Sequence, residues 1–261
     1  MQLSKEEIKE AALKYGADFA GVVNAESIPE SVPPRKARDV LAGARSVIVF
    51  GVRMLSGSIQ GPSFRVATTS NLAIYQEIDR IGYQLGRFLE ENGYLAAVIP
   101  PYQPNEITRE TRGMVGDLSL KHAAVGAGLG ILGKNRLLLT PRWGPRVRLG
   151  AIVTDAPLPA DQPVAGEVCL DCQLCIEACP VGAISPSGNL DTVKCITHLS
   201  PYGLGSFIKY LSQMIAKPPE EAQRLLRDPM FWNLYQYLSL GIMWSCFKCV
   251  EACPVGRTPS I

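Results

Sequence analysis

All eight cysteines of this 261-residue chain lie at or beyond residue 169, and their spacing suits iron–sulfur chemistry. Cys169, Cys172, Cys175 and Cys179, followed by Pro180, are spaced C-x2-C-x2-C-x3-C-P, the run in which thiolates hold 4Fe-4S clusters. Cys246, Cys249 and Cys253 precede Pro254 as a shortened C-x2-C-x3-C-P run. Its missing first ligand would fall at Met243, a thioether where a thiolate is needed. Cys195 stands apart and completes the set. Two clusters take eight thiolates, and the chain supplies eight with none left over. In such runs the fourth cysteine crosses to the other cluster. The expected ligands are therefore Cys169, Cys172, Cys175 and Cys253 for one cluster, and Cys246, Cys249, Cys179 and Cys195 for the other. Disulfides would need an oxidising compartment, and the opening MQLSKEE reads as a helix start rather than a signal peptide. Zinc has no use for the third closely spaced cysteine or the trailing proline. Reduced ligands without an export signal point to the cytoplasm.

The stretch before Cys169 is long enough to bury a core of its own. Ser4 and Glu7 make a capping box ahead of Ile8, Ala11, Ala12 and Tyr15 at helical spacing. Residues 18–23, 46–52, 94–99, 137–139 and 147–153 read as strands, and residues 29–34 as a proline-rich loop. The longest helix is expected over 71–93, with Ile74, Ile78, Ile81, Leu85 and Leu89 on one face. Asp117 is placed to cap a further helix through Ala124. Alternating helices and strands predict an α/β or α+β layered domain over 1–160. Three prolines in 155–166 mark a boundary, and 161–261 forms the cluster domain, interrupted by a helical insertion at about 204–243. That insertion carries Phe207, Tyr210, Phe231, Trp232, Tyr235 and Tyr237, with Trp244 just beyond it. These rings would shield a cluster from water, or present a partner-binding or membrane-surface face. A formal net charge of +2 makes no general case for nucleic acid, and no apolar run reaches the length of a membrane span.

Residues 126–135 read GAGLGILGKN. Gly128, Gly130 and Gly133 match G-x-G-x-x-G, but a helix rather than a strand precedes them, against the dinucleotide reading. Lys134 completes an imitation of the phosphate loop, but Asn135 stands where a magnesium-binding hydroxyl is required. What survives is a backbone open to close approach, by a packed helix or by a flat cofactor. His122 reads as structural, and His198 lies three residues beyond Cys195.

On these residues the chain resembles the epoxyqueuosine reductases, cousins of the reductive dehalogenases. The matching stretches are AGLGILGKN at 127–135, Leu149 to Pro163, the first cysteine run through CPVGAI, LDTVKCITHL around Cys195, and VLAGARSVIVFGV at 40–52. The resemblance implies a nitroreductase-like three-layer domain followed by a bacterial ferredoxin-like two-cluster domain, with cobalamin between them. It implies electrons entering through the clusters from a donor such as ferredoxin or flavodoxin, and a reductase acting on a substrate. Gly128, Gly130, Gly133, Lys134 and Asn135 would lie along the corrin.

Three departures bear on the chemistry. The proton-donating aspartate of the family aligns with Met114, while Asp117 follows three residues later and becomes the candidate acid. The family's R-D-Y-H appears as Ala73-Ile74-Tyr75-Gln76, leaving Tyr75. The 204–243 insertion has no match in the tRNA-modifying members, so a small-molecule or corrinoid-protein substrate is expected ahead of tRNA. Flavin mononucleotide in place of cobalamin, and an electron-transfer or corrinoid-reactivating role without a substrate of its own, are the competing expectations.

Overall fold

The computed structural model describes residues 3–28, 35–102, 105–106, 108–111, 115–199, 201–239 and 245–257. The proline-rich loop at 29–34, Met114, Met243 and Trp244 lie outside the described residues. In chain order the first half contains α1 (Lys5–Lys14), β1 (Phe19–Asn24), α2 (Ala37–Val40), β2 (Ser46–Arg53), α3 (Ser56–Gln60), α4 (Phe64–Glu91) and β3 (Ala96–Ile99). It continues with α5 (Leu120–Gly126), β4 (Ile131–Leu132), β5 (Leu138–Leu139) and β6 (Val147–Thr154). The cysteine-rich half adds α6 (Leu174–Glu177), α7 (Thr192–Leu199), α8 (Leu204–Ile215), α9 (Pro219–Leu225), α10 (Pro229–Ser239) and α11 (Lys248–Ala252).

The capping box forms as its residues predict: the Glu7 N–H donates to Ser4 Oγ at 3.2 Å, and the Ser4 N–H returns to Glu7 Oε2 at 2.8 Å. The main sheet has the order β1-β2-β6-β3, with every neighbouring pair antiparallel. Successive side chains of a strand point to opposite faces, and β2 uses both. Ile48 and Phe50 pack with Ile8 of α1 and Ile78, Ile81 and Leu85 of α4, while Val47 and Val49 pack with Ala123 and Ala124 of α5. Helices therefore cover the sheet on either side, the three-layer arrangement expected. Burial of both faces explains why SVIVFGV is apolar throughout rather than alternating. α4 begins at Phe64, seven residues before the expected start, with Ser63 as its N-cap accepting from the Val66 N–H at 3.4 Å. The early turns carry Arg65, Thr68, Thr69 and Ser70, so the apolar stripe fades although Ala67 and Thr68 are buried.

Two devices tie the cysteine-rich half to the sheet. Asp161, in the connecting segment, accepts from the Val22 N–H at 2.9 Å and pairs with Lys9 at 3.0 Å and Lys5 at 3.1 Å. At the far end, Gly144 (φ +55°) and Gly256 (φ +65°) bring two backbones together so closely that a Cβ on Gly144 would lie 2.0 Å from the Val255 oxygen. Arg146, 3% exposed, locks this contact by donating to the carbonyls of Val255 at 2.8 Å and Cys253 at 2.5 Å. Among the described residues no helix is long and apolar enough to cross a membrane.

Candidate functional site

The first cysteine run winds tightly because Asp171 (φ +50°) and Gln173 (φ +62°) are left-handed, and Gln173 then caps the short α6. This turn brings Cys169, Cys172 and Cys175 around a small hollow. Cys253, held by Arg146 at the end of α11, joins them there beside Lys134 and Asn135. The remaining four, Cys179, Cys195 of α7, Cys246 and Cys249, open onto a second cavity of about 1260 Å³. The structure thus brings the eight cysteines together as four and four.

Their electrostatics divide along similar lines. Burial, then Cys253 and Cys169, pushes the Cys175 thiol up, and burial, then Cys179 and Cys246, does the same to Cys195. Cys249, buried beside Cys246 and Cys195, is pushed up to about 12. Burial alone would raise Cys179 too, but backbone N–H groups from Val181 to Ile184 surround its sulfur and lower it, with Ala183 N at 3.2 Å. Among the described residues no three His, Cys, Asp or Glu side chains stand close enough to hold a single metal ion.

The large cavity lies between the sheet and the cysteine-rich half. One wall comes from α4, the start of α5, residues 135–138 and β6; the other comes from residues 179–184, α7, Tyr237 of α10 and the second cysteine run. Lys121, Arg136 and Arg148 line it, and among the described residues no aspartate or glutamate does. Lys121 Nζ donates to the Arg136 carbonyl at 2.9 Å. His122 meets Ser119 Oγ through Nδ1 at 2.6 Å. Its pKa is lowered by burial first, then by Lys121 and Arg136, so the ring stays neutral near pH 7. Tyr102 stacks on Tyr75 at 4.9 Å, and its hydroxyl is buried without a hydrogen-bond partner among the described residues. Burial, then Tyr237 and Tyr75, raises the Tyr102 pKa, so the phenol keeps its proton.

Of the residues singled out in the sequence, Tyr75 and Asn135 reach the cavity wall. Asn135 is 5% exposed, lines the small hollow as well, and accepts from the Leu137 N–H at 3.2 Å. Lys134 lies on the small hollow and pairs with Asp171. Gly128, Gly130 and Gly133 do not line the cavity. A Cβ on Gly128 (φ +69°) would lie 2.1 Å from the Gln162 oxygen, one on Gly130 2.2 Å from the Leu139 oxygen, and one on Gly133 2.5 Å from Leu139 Cδ1. The close approach these glycines permit is to the chain's own linker and to β5.

Asp117 requires a correction: it is exposed, and the N-cap of α5 is Ser119, two residues later. Starting the helix there buries Leu118 to 4% exposure, which an Asp117 cap would not position. Gly116 and Leu118 on either side line the cavity, but Asp117 does not. The sequence reading passed over Arg148, Lys121, Arg136 and Tyr102. Arg148 carried a readable signal, a charge inside the apolar strand VRLGAIV, which has cover on both faces.

The chain is similar to epoxyqueuosine reductases. It is 42% identical to the epoxyqueuosine reductase of Bacillus anthracis over 93 residues, 35% of this chain and 24% of that protein. It is 31% identical to that of Synechocystis sp. over 188 residues, 72% of this chain and 60% of that protein. The chain therefore spans less than two thirds of the length of these reductases. A solved epoxyqueuosine reductase bound to a tRNA-Tyr epoxyqueuosine-modified stem loop superposes with a TM-score of 0.62 at 21% identity, covering 98% of this chain and 66% of that one. A reductive dehalogenase, whose structure suggests a mechanism for B12-dependent dehalogenation, superposes with a TM-score of 0.65 at 18% identity, covering 98% and 32%. The fold is shared with both groups. No family model matches the chain.

Proposed function

We propose that this chain is an oxidoreductase of the epoxyqueuosine reductase type, in which two 4Fe-4S clusters pass electrons to a cobalamin in the large cavity. The observation that carries this reading is the grouping of the cysteines. Four surround a small hollow near the surface, where Cys172 is exposed, and four open onto the cavity. Electrons would enter at the Cys169, Cys172, Cys175 and Cys253 cluster from a donor such as ferredoxin or flavodoxin. They would leave through the Cys179, Cys195, Cys246 and Cys249 cluster.

The cavity suits a bulky cofactor. Its volume of about 1260 Å³ exceeds the roughly 300–1,000 Å³ of ordinary ligand pockets. The Tyr75 and Tyr102 rings on its wall, stacked at 4.9 Å, offer a flat aromatic surface to such a group. Bound there, cobalamin would supply the reducing metal centre for a two-electron reduction. The chain's own part is to position and to protonate. Tyr75 and Tyr102 form an aromatic wall, Leu118 and Leu138 help to exclude water, and Asn135 stands between the two cysteine groups. The proposed proton donor is Asp117, between the wall residues Gly116 and Leu118.

A small molecule or a corrinoid protein is the proposed substrate ahead of tRNA. The decisive experiment is mass spectrometry of the cofactor released from anaerobically purified protein supplied with cobalamin and flavin, with iron counted per chain. Near-stoichiometric cobalamin and about eight irons support the reading. Flavin mononucleotide instead would keep the fold and replace the chemistry. A second reading, an electron-transfer or corrinoid-reactivating partner, draws on the insertion. There Ile208, Ile215, Trp232 and Tyr235 are 55%, 84%, 54% and 46% exposed, and clusters without any further cofactor would favour it.

A further inference from the structure

The charge of the large cavity is one-sided. Among the described residues Lys121, Arg136 and Arg148 line it without any carboxylate, and none of the three has an acidic partner. Arg136 is exposed and needs no partner, but Arg148 is half-buried, and a charge withdrawn from water is ordinarily paired because desolvation is costly. Lys121 is accounted for by the cysteines, since it faces Cys195, and Arg146 serves Cys253 in the same way. We infer that the cavity takes a substrate bearing a carboxylate or phosphate group, anchored by Arg148 and attracted by Arg136. This deepens the reductase reading by naming a substrate class, and it can be tested without turnover.

Arg148 is built to hold an anion in one place. It projects from β6, and its Nε donates to Asn71 Oδ1 at 2.8 Å and its Nη1 to the Val147 carbonyl at 3.1 Å. The guanidinium lies 5.9 Å from the Tyr75 ring and 5.8 Å from the Phe247 ring. Among the described residues Nη2 donates to no protein acceptor. A guanidinium already held through Nε and Nη1, with Nη2 left over, loses little entropy on meeting an anion.

The test is equilibrium binding of three probes of similar size, benzoate, phenyl phosphate and benzamide, to the cluster-containing protein with and without added cobalamin. One anion should bind roughly tenfold more tightly than neutral benzamide, the worth of one charge-assisted contact, and whichever leads identifies the group. Arg148→Gln should abolish most of that preference, Arg148→Lys should keep part of it, and Arg136→Gln, at an exposed position outside the packed shell, should weaken it. Iron content and visible spectrum check that each variant retains its fold. Equal or absent binding of all three probes overturns the inference, as does an anion preference that survives Arg148→Gln. Corrinoid uptake is read separately from the spectrum of the same samples. Failure there would refute the cobalamin reading while leaving the anion preference to stand or fall by itself.

Discussion

Replacing Arg146 with methionine should loosen the second cysteine run before it disturbs the sheet. Arg146 is 3% exposed and donates to the carbonyls of Val255 and Cys253, which the Gly144–Gly256 contact holds against the sheet domain. Methionine fills much of the same volume but donates nothing, so two carbonyls lose their partner. An unpaired buried acceptor costs about 1–3 kcal/mol. Part of that is recovered because a buried guanidinium no longer has to be desolvated, which leaves a net loss of about 3 kcal/mol. For a chain of this size that corresponds to a fall of roughly 6–12 °C in Tm. The chemical consequence is more specific. Cys253 is the member of the small hollow that arrives from the distant second run, so iron should fall by about half per chain while β-sheet signal persists below the melting transition. Circular dichroism melts and iron assays on the two proteins check both statements. A variant with full iron and a Tm within about 2 °C of the parent would refute the reasoning, because the Arg146 bonds would then not be what holds Cys253.

Cys195→Ala should cost about half of the bound iron and spare the cluster in the small hollow; iron content and spectrum unchanged from the parent would remove Cys195 from the ligand set. Gly128→Ala should lower the free energy of unfolding measured in urea by about 2 kcal/mol or more, because φ is +69° and the new Cβ would lie 2.1 Å from the Gln162 oxygen; an unchanged free energy would mean the linker yields freely. Asp161 governs an acid limb. Burial would raise its pKa, but the Val22 N–H and Lys9 and Lys5 outweigh burial and hold it below 3.8. Its contribution is therefore present above pH 3.8 and is lost as pH falls through the lower, folded value. Asp161→Asn should lower Tm at neutral pH and flatten its decline below about pH 4; parallel pH profiles for the two proteins would contradict this.

Local pattern carried much of the architecture. The Ser4–Glu7 box, the stripe from Ile74 to Leu89 and the apolar run of β2 each state their own element, since helix and strand periods are properties of contiguous residues. The departures occur where local signals tie or fade. Asp117 and Ser119 are both competent caps, and burial of Leu118 chose between them. Polar residues at 65, 68, 69 and 70 hid the first turns of α4, although tertiary packing buries Thr68 there. The glycine loop announced a close approach but not its partner, and the partner proved to be the chain's own residues at 162 and 139.

By itself, the sequence determined the count and spacing of the eight cysteines, the mixed helix and sheet architecture and the resemblance to epoxyqueuosine reductases. Spacing of two or three residues is a covalent constraint that survives in any fold. Only the tertiary structure decided where Cys253 sits relative to Cys169, which residues wall the large cavity, and that Arg148, Tyr102 and Lys121 meet there while Asp117 stays outside. Those side chains come from β6, the segment after β3 and α5, far apart in the chain. What joins them is burial of both faces of one sheet and the backbone contact at Gly144 and Gly256, a balance of packing over the whole molecule that no short stretch of sequence encodes.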